Sequence, residues 1–307
     1  IRRPPRSTPS NSSAASDVYK RQIRYNEFMK KAAACMNRNI PLYIIGTGFE
    51  PVNFDGCVPG KRFYDQGEVR RDVLTKVIHY AKYVGVRGPQ SRDMLVDLTR
   101  RADIEVCGDF AFLLRGEPDF KFRERHPKDK IVLNFGKTWG YLYGNSEKDA
   151  FDSYRLLVRE LSKDFEVIVV PFWFDDIEVS KELCLGLDRV RVLSRIPDDD
   201  FLIEILNDAF MVVGFKLHSL VIPACLGICF VPIAYRPKTV DFLKSIGYDD
   251  ESIIKLSDKG FVRKVLDVVE RHKDSVYYEG RSLDLKTRSH KFYTRLDATL
   301  HKVINER

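Results

Sequence analysis

The chain has 307 residues, 44% of them hydrophobic and 31% charged, and carries a net charge of +7. That is enough for one large domain or two ordinary ones, with a composition normal for a soluble globular protein. Its six cysteines (35, 57, 107, 184, 225 and 229) form no CxxC pair and no tight Cys/His cluster, which argues against zinc and suits a reducing cytoplasm.

The first 22 residues, IRRPPRSTPSNSSAASDVYKRQ, hold five cations against Asp17 and so carry four of the seven net charges. They are rich in Ser, Pro and Arg, lack apolar periodicity, and are expected to be disordered. The segment resembles a translated sequencing adapter, has no apolar signal core, and is expected to lie outside the natural fold. The rest of the chain carries only +3, which removes the main argument for a nucleic-acid partner.

Residues 23–37 have helical spacing. IPLYII (40–45) reads as a short buried strand leaving through Gly46-Thr47-Gly48-Phe49-Glu50-Pro51 into an irregular loop that continues to about Gly67. Helical spacing returns over 69–79. Residues 83–87 are strand-like and lead into Gly88-Pro89-Gln90-Ser91, a helix start, with the helix running to about Arg100. A strand over 104–107 ends at Gly108-Asp109. FKFRERHPKDK (120–130) is charged, contains a proline, and reads as a linker.

A second series follows, with strands over 131–135, 165–170, 190–193, 211–214 and 228–233. Helices are expected over 146–162, 176–185, 198–207, 219–226 and 239–246, and the chain beyond Asp258 reads as helices, the last one long. Alternating strands and helices predict α/β units with parallel sheets, one over 23–125 and one over 126–307. The first unit offers only three strand candidates, so part of it is expected to lie upstream of this sequence.

The apolar run over 210–235 is the one stretch long enough to suggest a membrane span. Lys216, His218, Pro223, Gly227 and Pro232 break it, and strand, helix and strand explain it better. No transmembrane segment is expected, which leaves peripheral membrane contact open.

The same run carries the strongest chemical signal. Val212-Val213-Gly214-Phe215-Lys216-Leu217-His218-Ser219 reads as a buried strand, a glycine turn and a helix start bearing a cation and an imidazole. Ser219 can cap that helix, whose first amides favour an anion; Lys216 adds a charge and His218 a titratable proton. A satisfied structural histidine is the bland alternative. Arg87 can grip a carboxylate or phosphate with two N–H groups, or be a surface arginine at a strand end. Asp109 can face the same cleft or cap a turn. Asn134 and Gly136 end the first strand of the second series, where glycine permits close backbone approach to a ligand. Asp175-Asp176 can orient a sugar hydroxyl or cap the next helix. Tyr235 and Lys238, in Tyr235-Arg236-Pro237-Lys238, reach the same cleft or form a solvated loop. There is no P-loop, complete GxGxxG, HExxH or GxSxG.

The ordered set YVGVRGPQSRDML, EVCGDFAFLL, IVLNFG, VIVVPFWFDD and VVGFKLHSLVIPACLGICFVPIAYRPKTVDFL resembles the polysaccharide pyruvyl transferase family over residues 41–247. The resemblance implies two Rossmann-like domains arranged as in GT-B glycosyltransferases, with the site between them. It implies transfer of a pyruvyl group from phosphoenolpyruvate to sugar hydroxyls of a glycan or a lipid- or nucleotide-linked precursor, with no metal or cofactor. Arg87 then looks like the donor-binding arginine and His218 like the catalytic acid. Lys216 stands where many members have arginine, keeping the charge but losing the planar fork. Two other readings stay open: a nucleotide-sugar glycosyltransferase or epimerase on the same frame, and a non-catalytic glycan- or anion-binding protein.

Overall fold

The computed structural model describes residues 29–49, 71–116, 129–138 and 146–305. The expected N-terminal tail, the loop after Gly48 beyond Phe49 and most of the 120–130 linker lie outside the described residues, as does the boundary expected near residue 125.

The front of the molecule is a three-stranded parallel sheet. Helix α1 (residues 29–37) precedes β1 (Tyr43–Thr47); then come α2 (Arg71–Tyr80), β2 (Tyr83–Val86), α3 (Pro89–Thr99) and β3 (Glu105–Val106). The order is β1-β2-β3, with Tyr43 opposite Tyr83 and Gly85 opposite Glu105. Ile44, Val77, Ile78, Val84, Val86 and Leu95 are buried between the sheet and its helices. A 3₁₀ turn (Phe110–Gly116) follows β3.

The rear half is larger. Its elements are β4 (Lys130–Leu133), α4 (Glu147–Asp164), β5 (Glu166–Val169), α5 (Phe174–Cys184), β6 (Val190–Val192), α6 (Asp199–Asn207), β7 (Met211–Val213), α7 (His218–Leu226), β8 (Phe230–Val231), β9 (Ile233–Ala234), α8 (Pro237–Ser245), β10 (Ile254–Lys255), α9 (Phe261–Arg271) and α10 (Ser275–Asn305). Five strands pair in parallel in the order β6-β5-β4-β7-β8, and β9 pairs with β10. The run expected as one strand over 228–233 is divided at Pro232, which has no N–H to give a ladder. Strand order reverses between β4 and β7, so their carboxyl ends open the crevice where such sheets bind ligands.

Local chemistry explains the helix ends. Ser146 accepts from the Asp149 N–H while Asp149 reaches back to the Ser146 backbone, a capping box that starts α4. Helix α7 (HSLVIPACL) is apolar almost all round and correspondingly buried. It ends at Gly227, whose φ of 67° is a left-handed value that glycine adopts without a side-chain clash. Among the described residues no helix is long and apolar enough to cross a membrane.

The two halves share one core. Cys107 and Phe112 from the front pack with Phe242, Leu243, Phe292 and Leu296 from the rear. Helix α10 ties this contact from outside. Arg115 donates to the Lys286 carbonyl at 2.8 Å, Arg295 donates to the Val106 carbonyl, and Phe112 and Phe292 stack with ring centroids 5.1 Å apart.

His272, just past α9, is 4% exposed, and its Nδ1–H donates to the Val268 carbonyl at 2.7 Å. Burial pushes its pKa down from 6.5 to about 4. The unfolded chain therefore takes up this proton more readily than the fold does. The stabilisation is complete above about pH 6.5 and is lost as pH falls toward 4, at no more than about 1.4 kcal/mol per pH unit. We predict that the melting temperature of the wild type falls more steeply between pH 7 and 4.5 than that of His272→Gln. Equal slopes would mean that the imidazole is not held neutral by the fold.

Candidate active site

Arg87 leaves β2 with its N–H donating to the Thr47 carbonyl at 2.8 Å, which fixes the backbone from which the guanidinium extends. That guanidinium lies beside Gly48, where an added Cβ would stand 3.2 Å from its Cζ. Its Nε is 2.8 Å from Asp109 Oδ2, with the two side chains 16% and 11% exposed. Asp109 Oδ1 also accepts from the Ala111 N–H at 3.1 Å, so this carboxylate both opens the 3₁₀ turn and holds Arg87.

The rear residues gather at the ends of β4, β5 and β7. Asn134 is fully buried. Its N–H donates to the Val213 carbonyl, its Nδ2 to the Val170 carbonyl, and its Oδ1 accepts from the Lys216 N–H, all within 3.0 Å. The sequence suggests Asn134 as a binding residue; the structure makes it a clasp joining three strand ends, with no exposed atom to offer a ligand.

Lys216 places its Nζ 3.0 Å from Asp176 Oδ1 and donates to the Lys137 carbonyl at 2.7 Å. Asp176 is fully buried. Burial pushes its carboxyl above the ordinary range, against the pull of the Lys216 ammonium. Asp176 therefore does not cap α5, whose N-cap is Trp173 with no side-chain bond; it neutralises Lys216 from the first turn of that helix. Gly136 makes room for this carboxylate rather than for a ligand, since a Cβ there would lie 2.0 Å from Asp176 Oδ1.

Two expectations about α7 are also corrected. Its N-cap is Leu217, and Ser219, 1% exposed, donates its hydroxyl to the Lys216 carbonyl at 2.6 Å instead of capping the helix. The Ser219 and Leu220 amides donate to the Lys216 and Leu217 carbonyls, so a tight turn occupies amides that were expected to face an anion. His218, the first residue of α7, is exposed at the carboxyl end of β7.

Tyr235 is 2% exposed and stacks on Phe215, with ring centroids 4.9 Å apart. Its ring supports two cations: the Arg236 guanidinium carbon is 5.8 Å and the Lys238 Nζ 5.6 Å from its centroid. Tyr235 is thus part of the core, while Lys238 remains half-buried above it.

Helix α8 joins the two groups. Lys238 and Asp241 are three residues apart on it and so share a face. The Asp241 carboxylate accepts from the Gln90 and Ser91 amides and from the Ser91 hydroxyl, in the turn that follows Arg87. The structure therefore brings Arg87 with Asp109, Lys216 with Asn134 and Ser219, and Tyr235 with Lys238, and it anchors the Arg87 turn to the helix that bears Lys238. Asp241 and the buried Arg236 escaped sequence reasoning as site residues. The signal for Asp241 was present: a carboxylate inside TVDFL, flanked by residues that pattern as core.

Two parallel α/β sheets, one of three strands and one of five among the described residues, define an α/β protein of the GT-B glycosyltransferase and epimerase architecture. UDP-GlcNAc 2-epimerase from Neisseria meningitidis, solved with UDP-GlcNAc bound, superposes with a TM-score of 0.55 at 11% identity over 90% of this chain and 73% of that one. An α,α-trehalose-phosphate synthase (UDP-forming) from Burkholderia vietnamiensis gives 0.52 at 9% identity, over 90% and 73%. At such identities the likeness is one of fold. A family model for polysaccharide pyruvyl transferase matches residues 17–237, and the chain belongs to that family of transferases. No functionally curated sequence matches it.

The buried Asp176–Lys216 pair yields a direct test. Gly136→Ala should cost about 1–3 kcal/mol of unfolding free energy by denaturant titration, because the new methyl meets a carboxylate that is buried and pinned. Unchanged stability would show that Asp176 does not sit against Gly136.

Proposed function

We propose that the protein transfers a pyruvyl group from phosphoenolpyruvate to two hydroxyls of a sugar, forming a ketal and releasing phosphate. The acceptor is a glycan or a lipid- or nucleotide-linked precursor, and the reaction takes place in the cytoplasm without a metal or cofactor. The observation that carries this reading is the family match together with an exposed His218 at the strand-order reversal of the rear sheet.

In this scheme His218, as imidazolium, gives a proton to the methylene carbon of the donor. Positive charge develops at the adjacent carbon and is shared with its oxygen. One sugar hydroxyl attacks that carbon and returns a proton to the imidazole. The carbon–oxygen bond to phosphate then breaks, the second hydroxyl closes the ring, and its proton balances the departing phosphate. Acid–base assistance of this kind contributes roughly 10²–10⁴-fold.

Arg87 is the donor's front contact in this reading, through the part of its guanidinium beyond the Nε that Asp109 holds, and Lys238 adds positive charge from the rear half. Lys216 is a weaker anion ligand than its position in the sequence suggests, because Asp176 already balances it. Its contribution is to hold the turn that carries His218 two residues later. Ser219 and Asn134 contribute in the same way, through the backbone of that turn.

The test is phosphate release from phosphoenolpyruvate in the presence of candidate acceptors. The wild type should release phosphate only when an acceptor is present, and His218→Ala should lower kcat by roughly 10²-fold or more. A full rate in that variant would remove His218 from the acid role, and response to a nucleotide sugar in place of phosphoenolpyruvate would remove the donor.

A further inference from the structure

The start of α3 is built to need help. Its N-cap is Gly88, which has no side chain to offer, and its first residue is Pro89, which has no N–H. The first amides that require an acceptor are those of Gln90 and Ser91. Neither finds one in its own segment. Both donate to Asp241 Oδ1, at 2.8 and 3.2 Å, and the Ser91 hydroxyl donates to Oδ2 at 2.5 Å. The carboxylate comes from α8 of the rear half, about 150 residues further along the chain.

The fit is close on every side. A Cβ on Gly88 would lie 2.3 Å from both the Asp241 carbonyl oxygen and Oδ1, so only glycine lets α8 approach this turn. Asp241 is 2% exposed. Burial pushes its carboxyl above the ordinary range, while the Ser91 hydroxyl, the two amides and the Arg87 guanidinium pull the other way and favour the charged form. The helix start also complements a negative charge by its dipole.

We infer that Asp241 is a positioning residue: it anchors the turn after Arg87 to α8 and thereby sets the span between the Arg87 guanidinium and the His218 end of the rear sheet. The inference rests on the donor reading given above. It has a corollary for that reading. The amides of α3 are occupied by the protein's own carboxylate, so the donor's anionic groups meet the front half through the Arg87 side chain and not through this helix start.

The experiment compares full-length wild type, Asp241→Ala, Asp241→Asn and Ser91→Ala. It reads phosphate release against phosphoenolpyruvate concentration, and amide hydrogen exchange at Gln90 and Ser91. Asp241→Ala should raise KM for phosphoenolpyruvate roughly tenfold or more, with kcat changed less, and should speed exchange at both amides. Asp241→Asn keeps an acceptor oxygen and should restore most of both properties. Ser91→Ala, which leaves the carboxylate and removes one donor, should fall between them and decides the matter if Asp241→Ala does not fold. Unchanged exchange at those amides, or a loss confined to kcat with KM unmoved, overturns the inference. A wild type that does not turn over phosphoenolpyruvate would instead sink the donor reading, with amide exchange still judging the contact.

Discussion

A helix that begins with a glycine cap and a proline leaves its next two amides without partners, and here a carboxylate from the opposite half of the molecule supplies them. That contact is polar and directional, whereas the surrounding interface of Cys107, Phe112, Phe242, Phe292 and Leu296 is apolar and tolerant of small shifts. Hydrocarbon packing joins the halves; the Asp241 bonds give that joint a register. Because Arg87 immediately precedes the turn so held, the register of the joint is also the placement of the guanidinium. Helix α10 adds a second restraint through Arg115 and Arg295, which bond backbone carbonyls across the same boundary.

The rear margin is organised by the same logic of buried charge meeting a fitted partner. An ammonium beside a sealed carboxylate is not an attractive anion site, since the pair is balanced before any ligand arrives. What the pair does achieve is a contact between the turn after β7 and the first turn of α5. Asp176, Lys216, Asn134 and Gly136 lock the ends of β4 and β7, and His218 stands exposed at the edge of that locked region. The acid role proposed for His218 would benefit from such support, because small misplacements weaken proton transfer.

Much of the architecture was legible in the sequence. Short apolar runs marked the parallel strands, and the helix-start signature at Gly88-Pro89 and the helix expected over 146–162 placed the starts of α3 and α4 within a residue or two. The division of the last strand at Pro232 follows from a missing N–H and could have been read in advance. The roles of polar residues were harder to read. Asn134, Ser219 and Tyr235 have the residue types of ligands, yet each is turned into the protein, where backbone groups or rings absorb it. Asp176 reads as a helix cap until Lys216, forty residues away in sequence, is seen beside it. Asp241 could be recognised as misplaced in an apolar stretch, but nothing local to it names Ser91 as its partner. Spacing reveals which face a residue occupies; it does not reveal which distant group meets that face.

The donor is proposed to lie between a guanidinium set by the joint and an imidazole at the carboxyl end of β7. A crystal structure of the protein with phosphoenolpyruvate bound tests this most directly. It should show the Arg87 guanidinium on an anionic group of the donor and the His218 imidazole about 3–3.5 Å from the methylene carbon. A donor seated away from Arg87, or with its methylene carbon turned from His218, would contradict it.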